Sequence, residues 1–92
     1  MLYAWDPAKN AANIRKHGVD FADAPRLFDG PTLIKPDRRR DYGEKRFIAL
    51  GTIEGIIFSL VYTDRSADER RIISFRSAGR KERRIFQEAY PL

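Results

Sequence analysis

Apolar residues recur with a helical period in the first third of the chain and with a period of two in its middle. A brief apolar segment, Tyr3 to Trp5, predicts a strand. Asp6 is a typical helix N-cap, Pro7 suits the first helical position, and Gly18 is typical of a helix C-terminus. A first helix is therefore predicted to run to about His17.

On this helix, apolar and polar residues separate onto two arcs. The apolar arc, which is the predicted buried face, consists of Ala8, Ala11, Ala12 and Ile14. The polar stripe consists of Lys9, Asn13, Lys16 and His17.

A second short amphipathic helix is predicted after Asp20, a further N-cap residue. Its apolar positions are Phe21, Ala24, Leu27 and Phe28. Pro25 cannot donate to the carbonyl of Phe21 in an α-helix. Two arrangements remain open: the helix begins later, near Asp23, or it is kinked at Pro25.

Period-two patterns in the rest of the chain predict an antiparallel sheet, and the last segment is again helical. The predicted strands are Thr32 to Lys35, Glu44 to Gly51, Ile56 to Thr63 and Glu69 to Arg76, with Thr52 to Gly55 as a hairpin connection. Alternation in the last strand places Arg76 on the same face as Ile72. The closing helix is predicted from Ser77, as N-cap, to about Tyr90. The predicted fold class is α+β: an antiparallel sheet, two N-terminal helices and one C-terminal helix.

Length and composition restrict the class of protein. The chain has 92 residues, which predicts a single domain over 1–92, and it has no cysteine, which excludes disulfides and thiolate chemistry. The longest apolar run, Ile56 to Tyr62, is too short to span a membrane, and the first residues show no secretory signal pattern. We therefore expect a cytoplasmic protein with no membrane partner.

The net charge of +5 lies entirely after Ile34, because the four basic and four acidic residues before it cancel. Of the 18 basic residues, 13 are arginine. The guanidinium group binds phosphate with two parallel hydrogen bonds, which the lysine ammonium cannot do. An anionic partner, above all nucleic acid, is predicted. The alternative is a solvated charged surface.

Arg76 is the first candidate site residue, because it ends a predicted strand beside the closing helix, where a side chain is held rigidly. Its alternative role is an ordinary ion pair at a sheet edge. The second candidate group is Arg80, Lys81, Arg83 and Arg84. These cations occupy the helix N-terminus, where the macrodipole disfavours positive charge, so they indicate a functional surface unless they are merely a solvated face.

His17 is the only histidine and a candidate general acid or base, together with Lys16. A histidine before a C-terminal glycine also serves a structural role at helix ends, and that alternative stays open. Glu44 and Arg46 alternate onto one predicted strand face, and Arg65 lies in the predicted loop after the central strand. This third group suits proton transfer beside a phosphate, or a simple cross-strand ion pair.

The single histidine and the scattered carboxylates give no metal-ligand spacing, so neither a metal nor any other cofactor is predicted. There is also no glycine-rich phosphate loop.

Short motifs distributed over nearly the whole chain resemble those of BrnT-type toxins. The N-terminal half carries Trp5-Asp6, Lys9, Asn13, Lys16-His17-Gly18-Val19, Phe21 and Phe28-Asp29. The C-terminal half carries Glu44-x-Arg46, Leu50-Gly51, Val61-Tyr62-Thr63-x-Arg65, Arg71-Ile72-Ile73-Ser74-x-Arg76-x-Ala78, Glu82 and Tyr90. The resemblance implies a RelE-like fold and a ribonuclease that inhibits translation by cleaving RNA. It also implies a BrnA-like antitoxin that binds the toxin and connects it to operator DNA.

We therefore predict a metal-independent endoribonuclease. Arg76, Arg65 and Arg80 are the predicted phosphate ligands, and His17, Lys16 and Glu44 are the candidates for proton transfer, with Arg46 orienting Glu44. Lys81, Arg83 and Arg84 are predicted to follow the RNA backbone. The alternatives are a non-catalytic RNA-binding module and a subunit whose basic face only holds an acidic partner.

Overall fold

The computed structural model describes residues 1–91, and Leu92 of the predicted domain lies outside the described residues. The elements are strand β1 (Leu2–Ala4), helix α1 (Pro7–His17), a 3₁₀ helix (Phe21–Asp29), strands β2 (Leu33–Pro36), β3 (Phe47–Ile53), β4 (Ile56–Ser66) and β5 (Glu69–Ser77), and helix α2 (Arg80–Ala89). The predicted α+β class is confirmed.

The five strands form one sheet in the order β1-β5-β4-β3-β2. The pairs β2–β3, β3–β4 and β4–β5 are antiparallel, as predicted. The pair β1–β5 is parallel, with Leu2 opposite Glu69. The first strand therefore pairs with the last strand, although two helices and three strands lie between them in the sequence.

The sheet carries a hydrophobic core on each face. Adjacent residues of β3 show this, because Ala49 belongs to the core beneath the 3₁₀ helix and Leu50 to the core beneath α2. The larger core contains Phe21, Ala24, Leu27, Ala49, Leu60, Tyr62, Ile72 and Phe75. The smaller core contains Leu50, Ile57, Ala78 and Phe86.

Helix α1 has the predicted ends and the opposite packing from that predicted. Asp6 caps the Ala8 N–H at 2.8 Å, and Gly18 takes the left-handed conformation, with φ of 74°. The apolar arc, however, faces solvent: Ile14 is 40% exposed, whereas Asn13 of the polar stripe is buried. The prediction of the buried face was wrong because Asn13 makes hydrogen bonds that an apolar residue could not make.

The segment after Asp20 is a 3₁₀ helix that begins at Phe21, so neither a later start near Asp23 nor a kinked α-helix is correct. The Asp20 side chain caps the Ala22 N–H at 2.9 Å, as its N-cap pattern predicts. A 3₁₀ helix does not use the hydrogen bond from position 25 to the carbonyl of Phe21, which is the bond that Pro25 cannot make.

Several strand boundaries differ from the predicted ones. Strand β3 begins at Phe47 rather than Glu44, and β4 continues to Ser66 instead of stopping at Thr63. The hairpin turn is only Glu54-Gly55, both with positive φ (52° and 80°), which suits the twist of the flanking strands. Pro36 lies inside β2, where it is tolerated because β2 is an edge strand.

A bulge in β5 overturns the predicted face assignment. Val61 pairs with Ser74 and Tyr62 pairs with Ile72, so Ile73 is an additional residue. Ile72 and Phe75 consequently face the same core, and Arg76 lies on the opposite face.

Helix α2 begins at Arg80, with Gly79 as the N-cap, and not at Ser77. Ser77 still pairs with Phe58 at the end of β5, so it cannot cap a helix. No helix within residues 1–91 is long and apolar enough to cross a membrane.

Candidate functional site

Arg76 is held by Glu82, which lies in the first turn of α2. Its Nη1 donates to Oε1 of Glu82 at 2.7 Å, and its Nη2 donates to Oε2 at 3.1 Å. Nη1 also donates to the carbonyl of Ser77 at 3.2 Å. These three bonds leave Nε–H and one Nη2 hydrogen of Arg76 for a ligand.

Glu82 is itself fixed by the backbone. Its Oε1 accepts from the Gly79 N–H at 2.9 Å, which satisfies one of the free donors at the start of α2. Partial burial raises the pKa of Glu82. Hydrogen bonds from Arg76 and from the Gly79 N–H outweigh this effect and hold the pKa of Glu82 below its ordinary range. The carboxylate therefore stays ionised and keeps the guanidinium in one orientation.

His17 lies one helical turn after the point where α1 is anchored to β5. The side chain of Asn13 bonds to the backbone of Phe75, the residue before Arg76. The pKa of His17 lies below its ordinary value, because the ring is partly buried and because Lys16 and Arg76 place positive charge near it. Neutral imidazole therefore predominates at neutral pH. The positive charges of Lys16 and Arg76 thus act on His17, which links three of the predicted site residues electrostatically.

The cations of α2 form a basic surface beside this site. Arg80, Lys81 and Arg84 are exposed, and none of them makes an ion pair within residues 1–91. Arg83 donates from Nη1 to the carbonyl of Ala78 at 2.8 Å. Arg83 makes no ion pair either, so all four cations of α2 lack a compensating carboxylate within residues 1–91.

Arg65 is not near Arg76. It lies in β4, in the part of the strand that continues past the predicted end at Thr63, and not in a loop. Ser59 of the same strand is the residue opposite Arg76, so six residues, or about 20 Å at the ordinary rise of a strand, separate Arg65 from that position.

Glu44 and Arg46 also lie toward that distant end of the sheet, in the segment before β3. The prediction that they share a strand face was wrong, because the strand begins only at Phe47. They form an ion pair of 2.9 Å between Nε of Arg46 and Oε2 of Glu44. The guanidinium of Arg46 lies 4.1 Å from the centre of the Tyr42 ring.

Three residues of these two regions make orienting contacts but were not among the predicted site residues. Asn13 acts through Phe75, 62 residues away, Glu82 acts through Arg76 and the Gly79 N–H, and Tyr42 acts through Arg46. Only the spacing of Glu82 from the Gly79 N-cap gives a local signal, since a glutamate three positions after an N-cap is a capping pattern.

Within residues 1–91, no group of three or more histidine, cysteine, aspartate or glutamate side chains is placed to hold a metal ion. The chemistry that the site offers is that of a neutral imidazole, a fixed guanidinium and surrounding cations, which suits a phosphate ester as ligand.

Residues 5–82 match the family model described as "Ribonuclease toxin, BrnT, of type II toxin-antitoxin system". The chain belongs to the BrnT toxin family. The matched range includes His17, Arg76 and Glu82 of the candidate site, whereas Arg83 and Arg84 lie beyond it.

The BrnT fold is also found in a solved structure, the ribonuclease toxin BrnT of Brucella abortus at 1.1 Å resolution. The two chains are 30% identical, with a TM-score of 0.70, over 87% of this chain and all of the other. No curated protein matches the chain in sequence.

Proposed function

We propose that this BrnT-family protein is an endoribonuclease of RelE-like architecture that arrests translation by cutting RNA, and that a BrnA-like antitoxin keeps it inactive. One observation carries the proposal: the guanidinium of Arg76 is locked by Glu82, and its positive charge reaches His17 and lowers the pKa of that imidazole. This pair supplies a cation for the phosphate and a base for the proton.

In the proposed reaction, neutral His17 takes the proton of a ribose 2′-hydroxyl. The 2′-oxygen attacks the adjacent phosphorus, and the bond from phosphorus to the 5′-oxygen breaks. The leaving oxygen takes a proton from the solvent or from Lys16, which gives a 2′,3′-cyclic phosphate and a 5′-hydroxyl. The free Nε–H and Nη2 hydrogen of Arg76 stabilise the charge that develops on the phosphate oxygens.

The second group of predicted residues contacts the RNA away from the bond that breaks. Glu44, Arg46 and Arg65 lie too far along the sheet to share the proton transfer at His17. We assign Arg65 to a phosphate contact and Arg46 to RNA binding, with Glu44 orienting Arg46.

The basic surface of α2 has two partners in this proposal. During cleavage, Arg80, Lys81, Arg83 and Arg84 follow the RNA backbone by electrostatic attraction, without reading bases. In the resting cell, an acidic surface of the antitoxin covers the same cations, and the complex reaches operator DNA through the antitoxin. The protein acts in the cytoplasm, where its RNA substrate is translated.

The test is the variant Arg76→Ala, compared with Arg15→Ala, which removes an exposed arginine from α1. Losing one preorganised donor typically slows a reaction about 10²–10³-fold. We expect that loss of RNA cleavage and of growth arrest for Arg76→Ala, with antitoxin binding retained. The partly exposed ion pair, with side chains 38% and 26% exposed, contributes on the order of 1 kcal/mol to folding, so the variant should stay folded. Full toxicity of a folded Arg76→Ala protein would show that the site is wrong.

The antitoxin is tested by purification from the native host. The chain should co-purify with a small protein encoded beside it, and expression without that protein should stop growth. Purification of the chain alone at full yield, with normal growth, would contradict the toxin–antitoxin assignment. A non-catalytic module would bind RNA without shortening it.

A further inference from the structure

The segment that joins β2 to β3 encloses a pocket of about 530 Å³. Residues within 36–47 line this pocket, which lies away from Arg76. The strand register shows the separation: Leu50 is paired with Ser59, and Ser59 is paired with Arg76. Phe47, at the border of the pocket, lies three residues before Leu50. The two sites are thus about 10 Å apart along the strands. A volume of this size is ordinary for a small-ligand site.

Hydrogen bonds fix the segment that lines the pocket. The buried carboxylate of Asp37 accepts from Nε and Nη2 of Arg39 at 2.8 and 2.7 Å. The Asp37 N–H donates to the carbonyl of Arg46 at 2.7 Å, and the Thr63 hydroxyl donates to the carbonyl of Lys45 at 2.7 Å. Both ends of the segment are therefore fixed to the sheet.

All three carboxylates that line the pocket are already bound within the protein. Asp37 binds Arg39, Asp41 accepts from the Gly43 N–H at 2.9 Å, and Glu44 binds Arg46.

The lining cations Arg38, Arg40 and Lys45, by contrast, make no ion pair within residues 1–91, and all three are exposed. The pocket therefore has an unbalanced positive charge, which an anion with several oxygens would neutralise.

An aromatic ring forms part of the same lining. The guanidinium groups of Arg46 and Arg40 lie 4.1 and 5.8 Å from the centre of the Tyr42 ring. The Arg46 guanidinium thus stacks on the Tyr42 ring, and a planar base can extend such a stack, because bases stack on arginine planes as well as on aromatic rings.

We propose that this pocket binds one unpaired nucleotide of a single-stranded RNA. Its base stacks on Tyr42 and Arg46, and its phosphates bind Arg38, Arg40 and Lys45. A base inside a duplex is stacked on its neighbours and cannot reach the ring, so the pocket selects single-stranded RNA. The inference rests on the proposed function, in which RNA is the substrate, and it places a second contact on the strand that is cut at His17 and Arg76.

The experiment measures binding of a short, fluorescently labelled, 2′-O-methylated single-stranded RNA to the full chain. The methyl group blocks the attacking oxygen, so binding is observed without cleavage. Tyr42→Leu is expected to weaken binding about 5- to 100-fold, the range for loss of one stacked base, and Tyr42→Phe should restore it. Arg38→Ala and Arg40→Ala should each lower the slope of log affinity against log salt by about 0.7, the value for one phosphate contact on a single strand.

Arg15→Ala is the matched control, because it removes the same charge from an exposed position on α1. If Arg38→Ala and Arg40→Ala keep the affinity and salt slope of this control, the phosphate contacts are wrong. If Tyr42→Leu binds like the original chain, the stacking contact is wrong.

Either result leaves cleavage by the unaltered protein intact, and so concerns the pocket alone. Failure of the unaltered protein to cleave any RNA would instead overturn the proposed function. If the pocket variants lose antitoxin binding while RNA binding is unchanged, the occupant is protein and the inference fails.

Discussion

The side-chain amide of Asn13 pairs with the backbone of Phe75 as a neighbouring strand would. Its Nδ2 donates to the Phe75 carbonyl at 2.7 Å, and its Oδ1 accepts from the Phe75 N–H at 3.2 Å. Strand β1 ends its pairing with β5 at Arg71, so Phe75 has no strand on that side. The same Nδ2 donates to the carbonyl of Val19 at 3.1 Å. One buried asparagine thus completes a sheet edge and fixes the end of α1.

Asn13→Leu should destabilise the fold strongly even though it adds apolar surface. It leaves the N–H and C=O of Phe75 buried without partners, and each such group costs about 1–3 kcal/mol. We expect the free energy of unfolding in urea to fall by about 2–4 kcal/mol in total. Ile14→Ala is the control: Ile14 is 40% exposed, so its loss should cost less than about 1 kcal/mol. A larger effect at Ile14 than at Asn13 would restore the apolar arc as the packing face.

Asp37 should make stability depend on pH in the acid range. Hydrogen bonds from Arg39, opposed by burial, lower the pKa of Asp37 from 3.8 to about 2. The folded state therefore holds fewer protons than the unfolded state, and the ionised carboxylate stabilises the fold above pH 4. This contribution, about 2 kcal/mol, should be lost as the pH falls from about 4 to about 2.

Urea unfolding at a series of pH values tests this prediction. In Asp37→Asn the corresponding part of the pH dependence should be absent, and stability at neutral pH should be lower. Asp23→Asn, which alters an exposed carboxylate, should leave the acid dependence as it was. An unchanged acid profile in Asp37→Asn would contradict the role of the pair with Arg39.

His17 should titrate below its ordinary range, and as the only histidine it gives a single pair of carbon-bound imidazole resonances in proton NMR. Partial burial, Lys16 and Arg76 all lower its pKa from 6.5. Lys16→Ala should raise this value, since it removes one of the neighbouring positive charges. If His17 is the base, kcat/KM for RNA should fall as the pH drops through the same value and should shift with it in Lys16→Ala. A titration at or above 6.5 in the unaltered chain would remove the physical basis of the proposed base.

RNA cleavage should persist in excess EDTA. The proposed reaction needs only an imidazole and guanidinium groups, and no cluster of metal-ligating side chains occurs within residues 1–91. The measurement compares cleavage rates with EDTA and with added magnesium or manganese. Loss of cleavage in EDTA that either metal restores would rule out the proposed mechanism.

The ends of α1 and the order of the predicted elements followed from local chemistry, because caps, proline and glycine act on their immediate neighbours. The face of α1 did not, since a pattern that equates burial with apolarity cannot foresee that Asn13 is buried by its hydrogen bonds. The bulge at Ile73 is likewise invisible locally, because it depends on the register of β4 against β5. One added residue was enough to move Arg76 to the other face from Ile72.

The candidate site, too, was predictable only where local sequence determined the positions of its residues. His17 and Arg76 stood out by residue type and position, and in the structure the charge of Arg76 acts on His17. Arg65 and Glu44 had equally suitable chemistry, but the extra length of β4 and the late start of β3 separate them from Arg76. The partners that orient the site could not be read from residue type, because Asn13 and Phe75 lie 62 residues apart.

That separation has a consequence for how the protein is made. Strand β1 cannot pair until Glu69 to Arg71 have been synthesised, and the amide of Asn13 has no partner until Phe75 exists. An incomplete nascent chain therefore lacks the contact that brings His17 to Arg76. On the proposed function, the ribosome that translates this message does not meet the assembled site before Phe75 and Arg76 have been synthesised.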